Sequence, residues 1–165
     1  PRVRCHTLIV GTGIAGLYTA LKAKDSGPVI VLTKKKVEDS NTEFAQGGIA
    51  AAIGHEDSPR LHMADTLEAG AGLCDLDAVR ILVTEGPECV MELVALGTQF
   101  DRSGDDFALT REGAHSERRI LHARGDATGD EIRRALSARV AREPGIRVLE
   151  NHYLIQQVKK KGNNV

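Results

Sequence analysis

The chain has 165 residues, which is enough for one domain with a hydrophobic core. Its 22 Lys and Arg residues nearly balance its 23 Asp and Glu residues, and aromatic residues make up 3%, so neither a nucleic-acid surface nor an anionic-membrane surface is expected. No apolar run approaches the roughly 20 residues of a membrane span. The three cysteines, Cys5, Cys74 and Cys89, share no metal-ligand spacing, which predicts reduced thiols in a cytoplasmic protein.

The first 32 residues predict a strand–helix–strand unit. The segment "HTLIV" at 6–10 is a short buried strand, residues 15–26 form a helix, and "VIVL" at 29–32 is the next strand. This length suits a parallel βαβ crossover. The fold class is therefore α/β, beginning as a Rossmann-like domain.

A glycine-rich loop, "GTGIAG", joins the first strand to the helix. Gly11, Gly13 and Gly16 match the dinucleotide-binding fingerprint. The first permits a tight turn, the second lets the backbone approach a pyrophosphate, and the third lets helix and strand pack closely. Because the following helix begins here, its positive N-terminal end would attract the anion.

The end of the second strand does not decide which dinucleotide binds. The fingerprint expects Asp or Glu there to hold the adenosine ribose, whereas this chain has Thr33 followed by Lys34, Lys35 and Lys36. The lysines could bind the 2′-phosphate of NADP, or they could form a solvated basic turn. A third alternative is an unphosphorylated ribose held by Thr33 and Lys34.

A second glycine-rich segment, "NTEFAQGGIAAA" at 41–52, needs a different explanation. Gln46 runs directly into Gly47 and Gly48, and small or apolar residues follow. Glycine loses more backbone entropy on folding than other residues, so a glycine pair is costly. A surface turn would explain the pair but not the uncharged run after it. We infer that something comes close to this bare backbone.

The middle of the chain predicts three helices. One begins at Ser58-Pro59 and runs to about Glu68, because Ser is a good N-cap and Pro is favoured in the first helical position. Two more, at 77–85 and 87–96, are separated at Gly86-Pro87.

The last third predicts extended segments around one more helix. Short extended pieces flank the turn "SGDD" within 98–110, and the strands "IRVLE" and "LIQQVK" follow the helix. The apolar face of the helix comprises Ile132, Ala135, Leu136 and Val140, and its arginines Arg133, Arg134 and Arg139 are interpreted as solvated charge.

The segment "TREGAHSERRILHARGDATG" at 110–129 concentrates charged residues. Its arginines could form an anion-binding wall, because guanidinium groups suit carboxylates and phosphates; they are Arg111, Arg118, Arg119 and Arg124. The alternative is a polar loop whose charges face water. Glycines within the segment favour a backbone shaped for a purpose. His115 and His122 do not have a usual zinc-ligand spacing, so a metal site is not expected.

Five motifs together carry a family resemblance. "LIVGTGIAGLYTA", "SNTEFAQGGIAAA", "EAGAGLCD", "TREGAHSERRILHA" and "GDATG" occur in an order and spacing typical of the L-aspartate oxidase family. This family is a branch of the flavoproteins that include the flavoprotein subunits of succinate dehydrogenase and fumarate reductase. The first motif is shared by many folds, the second marks the flavoproteins, and the fourth is nearly specific to the aspartate-oxidising branch.

The resemblance also implies a domain organisation. Residues 1–165 resemble the N-terminal part of an FAD-binding domain of the glutathione reductase type. A capping domain and a C-terminal helical domain are expected outside this chain. The start at Pro1 and the end at "KKKGNNV", which reads as a hairpin turn, agree with a segment of a longer protein.

The same resemblance implies FAD and assigns residues to it. The pyrophosphate side is assigned to the loop of Gly11, Thr12, Gly13, Ile14, Ala15 and Gly16, and the ribose side to Thr33 and Lys34. The flavin ring is assigned to Ala45, Gln46, Gly47 and Gly48, with Ser40, Asn41, Thr42 and Phe44 beside them. Bare backbone N–H groups can approach the polar edge of a flat ring, so a side chain at either glycine is expected to cost FAD binding rather than folding.

The resemblance implies non-covalent FAD and a specific reaction. Succinate-oxidising relatives carry a histidine that binds FAD covalently, and Asn41 stands at the matching position. The implied reaction is oxidation of L-aspartate to iminoaspartate with oxygen or fumarate as acceptor, the first step of de novo NAD biosynthesis, with a functional link to quinolinate synthase. The alternative is a flavoprotein subunit of the succinate dehydrogenase or fumarate reductase type. The segment alone is expected to be inactive.

One residue is assigned to the substrate. Glu112 is the carboxylate of "TREGAHS", and the succinate-oxidising relatives have an uncharged residue there. The resemblance therefore implies that Glu112 recognises the substrate amine. The alternative is an ion pair with Arg111, Arg118 or Arg119. Ala114 stands where the family usually has a second glycine.

Overall fold

A computed structural model describes residues 2–39, 42 and 45–158. The described elements, in chain order, are β1 (Thr7–Val10), α1 (Ile14–Ala23), β2 (Val29–Leu32), β3 (Ile49–Ala50), α2 (Pro59–Ala69), α3 (Leu76–Ala95), β4 (Arg102–Ser103), β5 (Asp106–Phe107), β6 (Ile120–Leu121), α4 (Thr128–Ala141) and β7 (Ile146–Leu149). The chain divides into two compact units. The first unit is Pro1–Ser40 with Val140–Val165, and the second unit is Asn41–Arg139.

The first unit is built on a parallel sheet of three strands in the order β1-β2-β7. Thr7 pairs with Val29, and Val29 pairs with Ile146 on its other side. The central strand is apolar throughout because both of its neighbours and both of its faces bury it. Ala20 of α1 packs with Val29 and Val31. The predicted βαβ unit and the predicted strand at "IRVLE" are confirmed.

Helix α1 begins at Ile14, within the glycine-rich motif, so Gly16 lies in its first turn. Its last predicted turn tightens into a 3-10 turn at Lys24–Ser26, and the chain then turns at Gly27, whose φ is +144°. A Cβ on Gly27 would lie 2.9 Å from the Cβ of His6, so a side chain here would press on the start of β1.

The second unit contains α2 and α3, which pack on each other. Helix α2 begins as predicted: the Oγ of Ser58 accepts a hydrogen bond of 3.2 Å from the N–H of Leu61, and Pro59 is the first helical residue.

The prediction of two helices on either side of Gly86-Pro87 is wrong, because α3 runs unbroken from Leu76 to Ala95. A proline inside a helix removes one hydrogen bond and crowds the preceding turn. Burial outweighs this cost here: one apolar face continues past the proline, and its buried members are Val79, Val83, Val90 and Leu93. Gly86 also relieves part of the crowding, since the residue before a proline is restricted partly through its Cβ. The helix ends at Ala95 with Leu96 as its C-cap, and the chain turns away at Gly97, whose φ is +106°.

Two short antiparallel pairs complete the second unit. Strands β4 and β5 form the predicted hairpin around "SGDD", and β3 pairs with β6. The predicted apolar face of α4 is buried; it comprises Ile132, Ala135, Leu136 and Val140.

The interpretation of the α4 arginines as solvated charge is wrong for Arg133, whose side chain is only 12% exposed, whereas Arg134 is exposed but ion-paired. Arg133 pairs with Asp130 at 2.6 Å, and Arg134 pairs with Glu131 at 2.6 Å. Both pairs are spaced i, i+3, which puts their side chains on the same side of the helix. These pairs use the first-turn carboxylates of α4.

The predicted strand at "LIQQVK" is also wrong for its described part. Residues 154–158 follow β7 without strand pairing, and Ile155 and Val158 are exposed. Alternating apolar residues alone do not make a strand when no partner edge lies beside them. The predicted hairpin turn near the C-terminus lies outside the described residues.

Two further findings bear on the chemistry of the chain. Cys5, Cys74 and Cys89 are free thiols. Among the described residues, no helix combines the length and apolar character that crossing a bilayer requires.

Candidate functional site

The glycine-rich segment of the first unit depends on glycine for two different reasons, a positive φ at Gly11 and a close backbone approach at Gly16. Gly11 has a φ of +109°, and its N–H donates a 2.8 Å hydrogen bond to the carbonyl oxygen of Leu32. A Cβ on Gly16 would collide with the carbonyl oxygen of Gly11. The first and third glycines of the fingerprint therefore have the geometric roles that the sequence predicted.

The N-terminus of α1 is suited to an anion. Gly13 occupies the N-cap position and offers no side-chain acceptor, and the first turn contains no Asp or Glu. The positive end of the helix dipole is thus left uncompensated by side chains of its own helix. A phosphate group fits this end both in charge and in hydrogen-bonding capacity.

The side chains of Thr12 and Thr33 are hydrogen-bonded to each other. The hydroxyl of Thr12 donates a 3.2 Å hydrogen bond to that of Thr33, and both side chains are buried. This bond ties the glycine-rich loop to the end of β2. Any contact of Thr12 with a pyrophosphate would therefore involve its backbone.

Hydrogen bonds join the segment after β2 to the segment after β7. The N–H of His152 donates to the carbonyl oxygen of Thr33 at 2.9 Å, and the N–H of Val37 donates to Oε1 of Glu150 at 2.9 Å. The three lysines, Lys34 to Lys36, are exposed on this loop. This geometry fits both a ribose contact and a solvated basic turn.

In the second unit, the segment of Ala45 to Gly48 presents its backbone to the surface. Ala45 and Gln46 are exposed, and Gly47 has a φ of +84° with no atom within 4 Å of the position of a Cβ. The N–H of Gly129, in the first turn of α4, donates to the carbonyl oxygen of Ala45 at 3.3 Å. A Cβ on Gly129 would lie 2.7 Å from the Cβ of Ala45, so this glycine lets α4 support the segment closely.

At Gly48, neighbouring atoms of the chain itself leave no room for a side chain. A Cβ there would collide with the side chain of Ile120 and would lie 2.7 Å from the carbonyl oxygen of Leu121. Strand β3 begins at the next residue and pairs with β6, which brings the two backbones together. Thus only Gly47 has the open surroundings expected of a glycine kept free for a ligand.

Glu112 lies beside His122. Its Oε1 is 2.8 Å from Nε2 of His122, and the same nitrogen is 3.1 Å from Oγ1 of Thr110. The ring carbon next to this nitrogen, Cε1, faces Gly48, where a Cβ would lie 3.0 Å from it. Within the described residues, Glu112 forms no ion pair with Arg111, Arg118 or Arg119, which was the alternative to a substrate role; its contact with His122 links it to Gly48.

The anion-binding wall is wrong for Arg119. Its side chain is 0% exposed and binds Asp57 with two hydrogen bonds, at 2.8 and 2.7 Å, while its Nη1 donates to Asp65. The carboxylates already neutralise the guanidinium, so it cannot hold a ligand. Arg124 is also engaged, with Asp130 at 2.5 Å. Arg111 and Arg118 remain exposed.

Asp65 anchors the loop that carries Glu112. It accepts hydrogen bonds of 2.8 Å from both the N–H and the hydroxyl of Ser116. Burial by itself would raise the pKa of the Asp65 carboxyl, but these bonds and Arg119 outweigh it and lower the pKa to about 2. His62 is buried nearby against His115, with ring centres 5.6 Å apart, and burial lowers its pKa. We name Arg119, Asp57 and Asp65 the loop anchor.

Ala114 keeps a glycine-like conformation within this loop. Its φ is +65°, a region that alanine enters at a cost. Alanine is therefore held here in a conformation that glycine adopts without this cost.

The structure joins some predicted site residues and leaves others apart. Within the second unit it connects Glu112, His122 and Gly48. Ser40, Asn41 and Phe44 lie outside the described residues. Sequence reasoning missed the roles of Asp57, Asp65 and Gly129, because no local pattern marks a carboxylate whose partner lies far along the chain.

Comparison with known proteins identifies the family. The sequence profile of a family described as "FAD binding domain" matches residues 6–164. The chain belongs to this family. FAD is accordingly the cofactor of this FAD binding domain.

Two similar proteins are named L-aspartate oxidase. The chain is 54% identical over 151 residues to L-aspartate oxidase of Streptomyces coelicolor, covering 90% of this chain and 26% of that protein. It is 52% identical over 143 residues to L-aspartate oxidase of Nostoc sp., covering 87% and 25%. These similarities confirm the resemblance predicted from the motifs.

A solved structure supports the fold. A chain of E. coli quinol fumarate reductase superposes with a TM-score of 0.85 at 28% identity, covering 92% of this chain and 26% of that one. The α/β, Rossmann-like prediction is confirmed. This chain spans about a quarter of the length of the curated relatives it matches.

Proposed function

We propose that this chain is the N-terminal part of the FAD binding domain of an L-aspartate oxidase, which oxidises L-aspartate to iminoaspartate with oxygen or fumarate as acceptor. The observation that carries the proposal is the identity of 54% and 52% to proteins of that name. In this function the product feeds quinolinate formation, in the first step of de novo NAD biosynthesis, and quinolinate synthase is the expected functional partner. A cytoplasmic location is part of the proposal and rests on the free thiols.

The chemistry divides between cofactor and protein. When bound, FAD supplies a hydride acceptor for oxidation of the substrate at Cα. The residues of this chain are proposed to bind and orient FAD and the substrate. In the first unit, the segment of Gly11 to Gly16 and the uncapped start of α1 support a role at the pyrophosphate. Thr33 and Lys34 are proposed to lie at the ribose; Lys34 is exposed there, whereas Thr33 is buried and bonded to Thr12.

The second unit contributes the proposed flavin and substrate contacts. Support for Ala45 to Gly48 at the ring comes from the exposed backbone and from the open space at Gly47. Glu112 is proposed to bind the substrate ammonium, because a carboxylate favours a cation through a charge-assisted hydrogen bond. Glu112 contacts His122, which in turn lies against Gly48, and this placement supports the role.

A flavoprotein subunit of the succinate dehydrogenase or fumarate reductase type is the second candidate. The TM-score of 0.85 to E. coli quinol fumarate reductase favours it, but the identity is only 28%. Glu112 argues against it, since succinate has no amine for a carboxylate to bind.

Anaerobic reduction of the full-length, FAD-loaded protein separates the two candidates. We expect L-aspartate to bleach the flavin absorbance and succinate to leave it unchanged. Bleaching by succinate alone would replace the proposal with the second candidate. The 165-residue segment, tested in the same assay, should show no turnover, because the remaining substrate-binding groups are proposed to lie in other parts of the enzyme.

A further inference from the structure

Both the backbone and the ring of His122 make close contacts within the second unit. Its carbonyl oxygen accepts a 2.8 Å hydrogen bond from the N–H of Asp101, which fixes the backbone at the end of β6. Its side chain is 15% exposed, its Nε2 is within hydrogen-bond distance of Glu112 and Thr110, and the adjacent ring carbon Cε1 lies against Gly48. The ring therefore has little freedom to turn away from Glu112.

The contact with Glu112 fixes a proton on Nε2. A carboxylate oxygen only accepts hydrogen bonds, so a separation of 2.8 Å from Nε2 requires that this nitrogen carry a hydrogen. The hydroxyl of Thr110, at 3.1 Å from the same nitrogen, then acts as a second acceptor. Both the Nε2–H tautomer and the doubly protonated ring satisfy this geometry.

Only one oxygen of Glu112 is used in this way. Within the described part of the chain, Oε1 contacts His122 and no hydrogen bond reaches Oε2. The Glu112 side chain is 51% exposed, so Oε2 remains accessible to a ligand. A glutamate side chain without such a partner would sample several rotamers, at a cost in entropy when a ligand binds.

We propose that His122 is a positioning residue for substrate recognition: its Nε2–H holds Oε1 of Glu112 so that Oε2 faces the ammonium group of an amino-dicarboxylate substrate. This inference rests on the proposed function, in which Glu112 binds the amine. It adds a residue that touches neither substrate nor the reacting atoms and acts through Glu112. It also gives a reason for Thr110 and Glu112 to meet at the same nitrogen of His122.

Two amide substitutions of similar polarity test the proposal. His122→Gln carries an N–H at nearly the reach of Nε2, whereas the amide of His122→Asn is too short to reach Glu112. The probe is 2-methyl-L-aspartate, which has no hydrogen on Cα and so cannot lose a hydride, and succinate is the amine-free control. Dissociation constants for both are measured calorimetrically on the full-length, FAD-loaded enzyme.

We expect His122→Asn to weaken binding of 2-methyl-L-aspartate about tenfold, with succinate changed by less than about twofold and with His122→Gln restoring most of the loss. In a Glu112→Gln background, His122→Asn should add little further loss, because a residue that acts through another is not additive with it. FAD content and the melting temperature are measured in parallel.

Equal weakening of both ligands would overturn the proposal, since His122 would then support the loop as a whole. Unchanged binding of both would overturn it as well. If the unmodified enzyme neither oxidises L-aspartate nor binds the methylated probe, the proposed function fails and this inference fails with it. If the unmodified enzyme does both and the variants show no difference between the ligands, only the role of His122 is wrong.

Discussion

At the scale of single residues, substrate choice depends on Glu112. Succinate and aspartate share two carboxylates and differ by an ammonium group, so something must recognise the amine. We predict that Glu112→Gln in the full-length enzyme lowers kcat/KM for L-aspartate by roughly ten- to a hundredfold, which corresponds to a charge-assisted hydrogen bond of about 1.5–3 kcal/mol. Fumarate reduction should remain nearly intact, because fumarate has no amine.

The matched control for this prediction is Glu117→Gln. Glu117 lies on the same loop and, within the described part of the chain, has no hydrogen-bond or ion-pair partner. Glu117→Gln should leave the ratio of aspartate oxidation to fumarate reduction unchanged. A parallel fall of aspartate oxidation and fumarate reduction in Glu112→Gln would assign Glu112 to loop structure rather than to the amine.

The two adjacent glycines should respond differently to the same substitution. Gly48→Ala forces a Cβ into Ile120 and Leu121, and overpacking of this kind typically costs about 1–3 kcal/mol, so the melting temperature should fall. Gly47→Ala meets no neighbouring atom and has only backbone strain of about 1–2 kcal/mol at its positive φ. If Gly47 faces the flavin, this variant should lose FAD affinity beyond what its melting temperature explains. Unchanged FAD affinity in Gly47→Ala would reduce the pair to a turn.

At the scale of elements, the loop anchor connects α2 to the segment before β6. Arg119 is fully buried, and its partners Asp57 and Asp65 lie 62 and 54 residues earlier. Arg119→Met would leave two uncompensated carboxylates, which typically costs about 3–5 kcal/mol. We therefore expect a large drop in melting temperature, measured by calorimetry. Asp57→Asn with Arg119→Met should recover part of it, because fewer buried charges remain unpaired.

The anchor also predicts a pH dependence of stability. The folded-state pKa of Asp65 is about 2, below its ordinary value of 3.8. A depressed pKa stabilises the folded state above the unfolded value, and this contribution is lost as the pH falls from about 4 toward 2. Melting temperatures of Asp65→Asn should therefore depend less on pH in this window than those of the unmodified protein. Identical slopes would show that other carboxylates dominate; Asp77→Asn, on the exposed side of α3, is the control.

Helix α3 offers a prediction in the stabilising direction. Pro87 lacks the N–H that would bond the carbonyl of Val83, and an interior proline costs up to about 3 kcal/mol relative to alanine. Pro87→Ala should raise the melting temperature, because the helix already has its continuous conformation and gains a hydrogen bond. A lower melting temperature would mean that the proline ring makes packing contacts that alanine cannot replace.

These elements also show which parts of the fold are readable in the sequence. β1, α1 and β2 carry local signals: a buried run, a glycine fingerprint and a helix stop. The continuity of α3 depended on Val83 and Val90 being buried together, which no local rule weighs against a proline. Arg119 is neutralised by two carboxylates that lie more than fifty residues earlier in the chain. Because the sequence does not show that they meet, the positive charge of Arg119 suggested a bound ligand.

At the scale of the whole molecule, the family match and the structure assign this chain to cofactor binding, and the chain covers about a quarter of its relatives. The glycine pair illustrates how two constraints coincide in one motif. Gly48 is required by the pairing of β3 with β6, and Gly47 has a positive φ with open space beside it. If Gly47 faces the flavin as proposed, one motif serves both folding and binding, and such a motif identifies a family more sharply than either requirement would alone.

The mode of FAD attachment is the last prediction. Asn41 replaces the histidine by which succinate-oxidising relatives bind FAD covalently, and an amide lacks the ring nitrogen that forms that bond. FAD should therefore be retained by non-covalent contacts alone. After acid precipitation of the full-length holoenzyme, the yellow colour should stay in the supernatant, and the denatured chain should show no flavin fluorescence on a gel. A covalent flavoprotein treated in parallel provides the positive control, and fluorescence on the denatured chain would contradict the prediction. The 165-residue segment should bind FAD more weakly than the holoenzyme, because fewer contacts surround the cofactor.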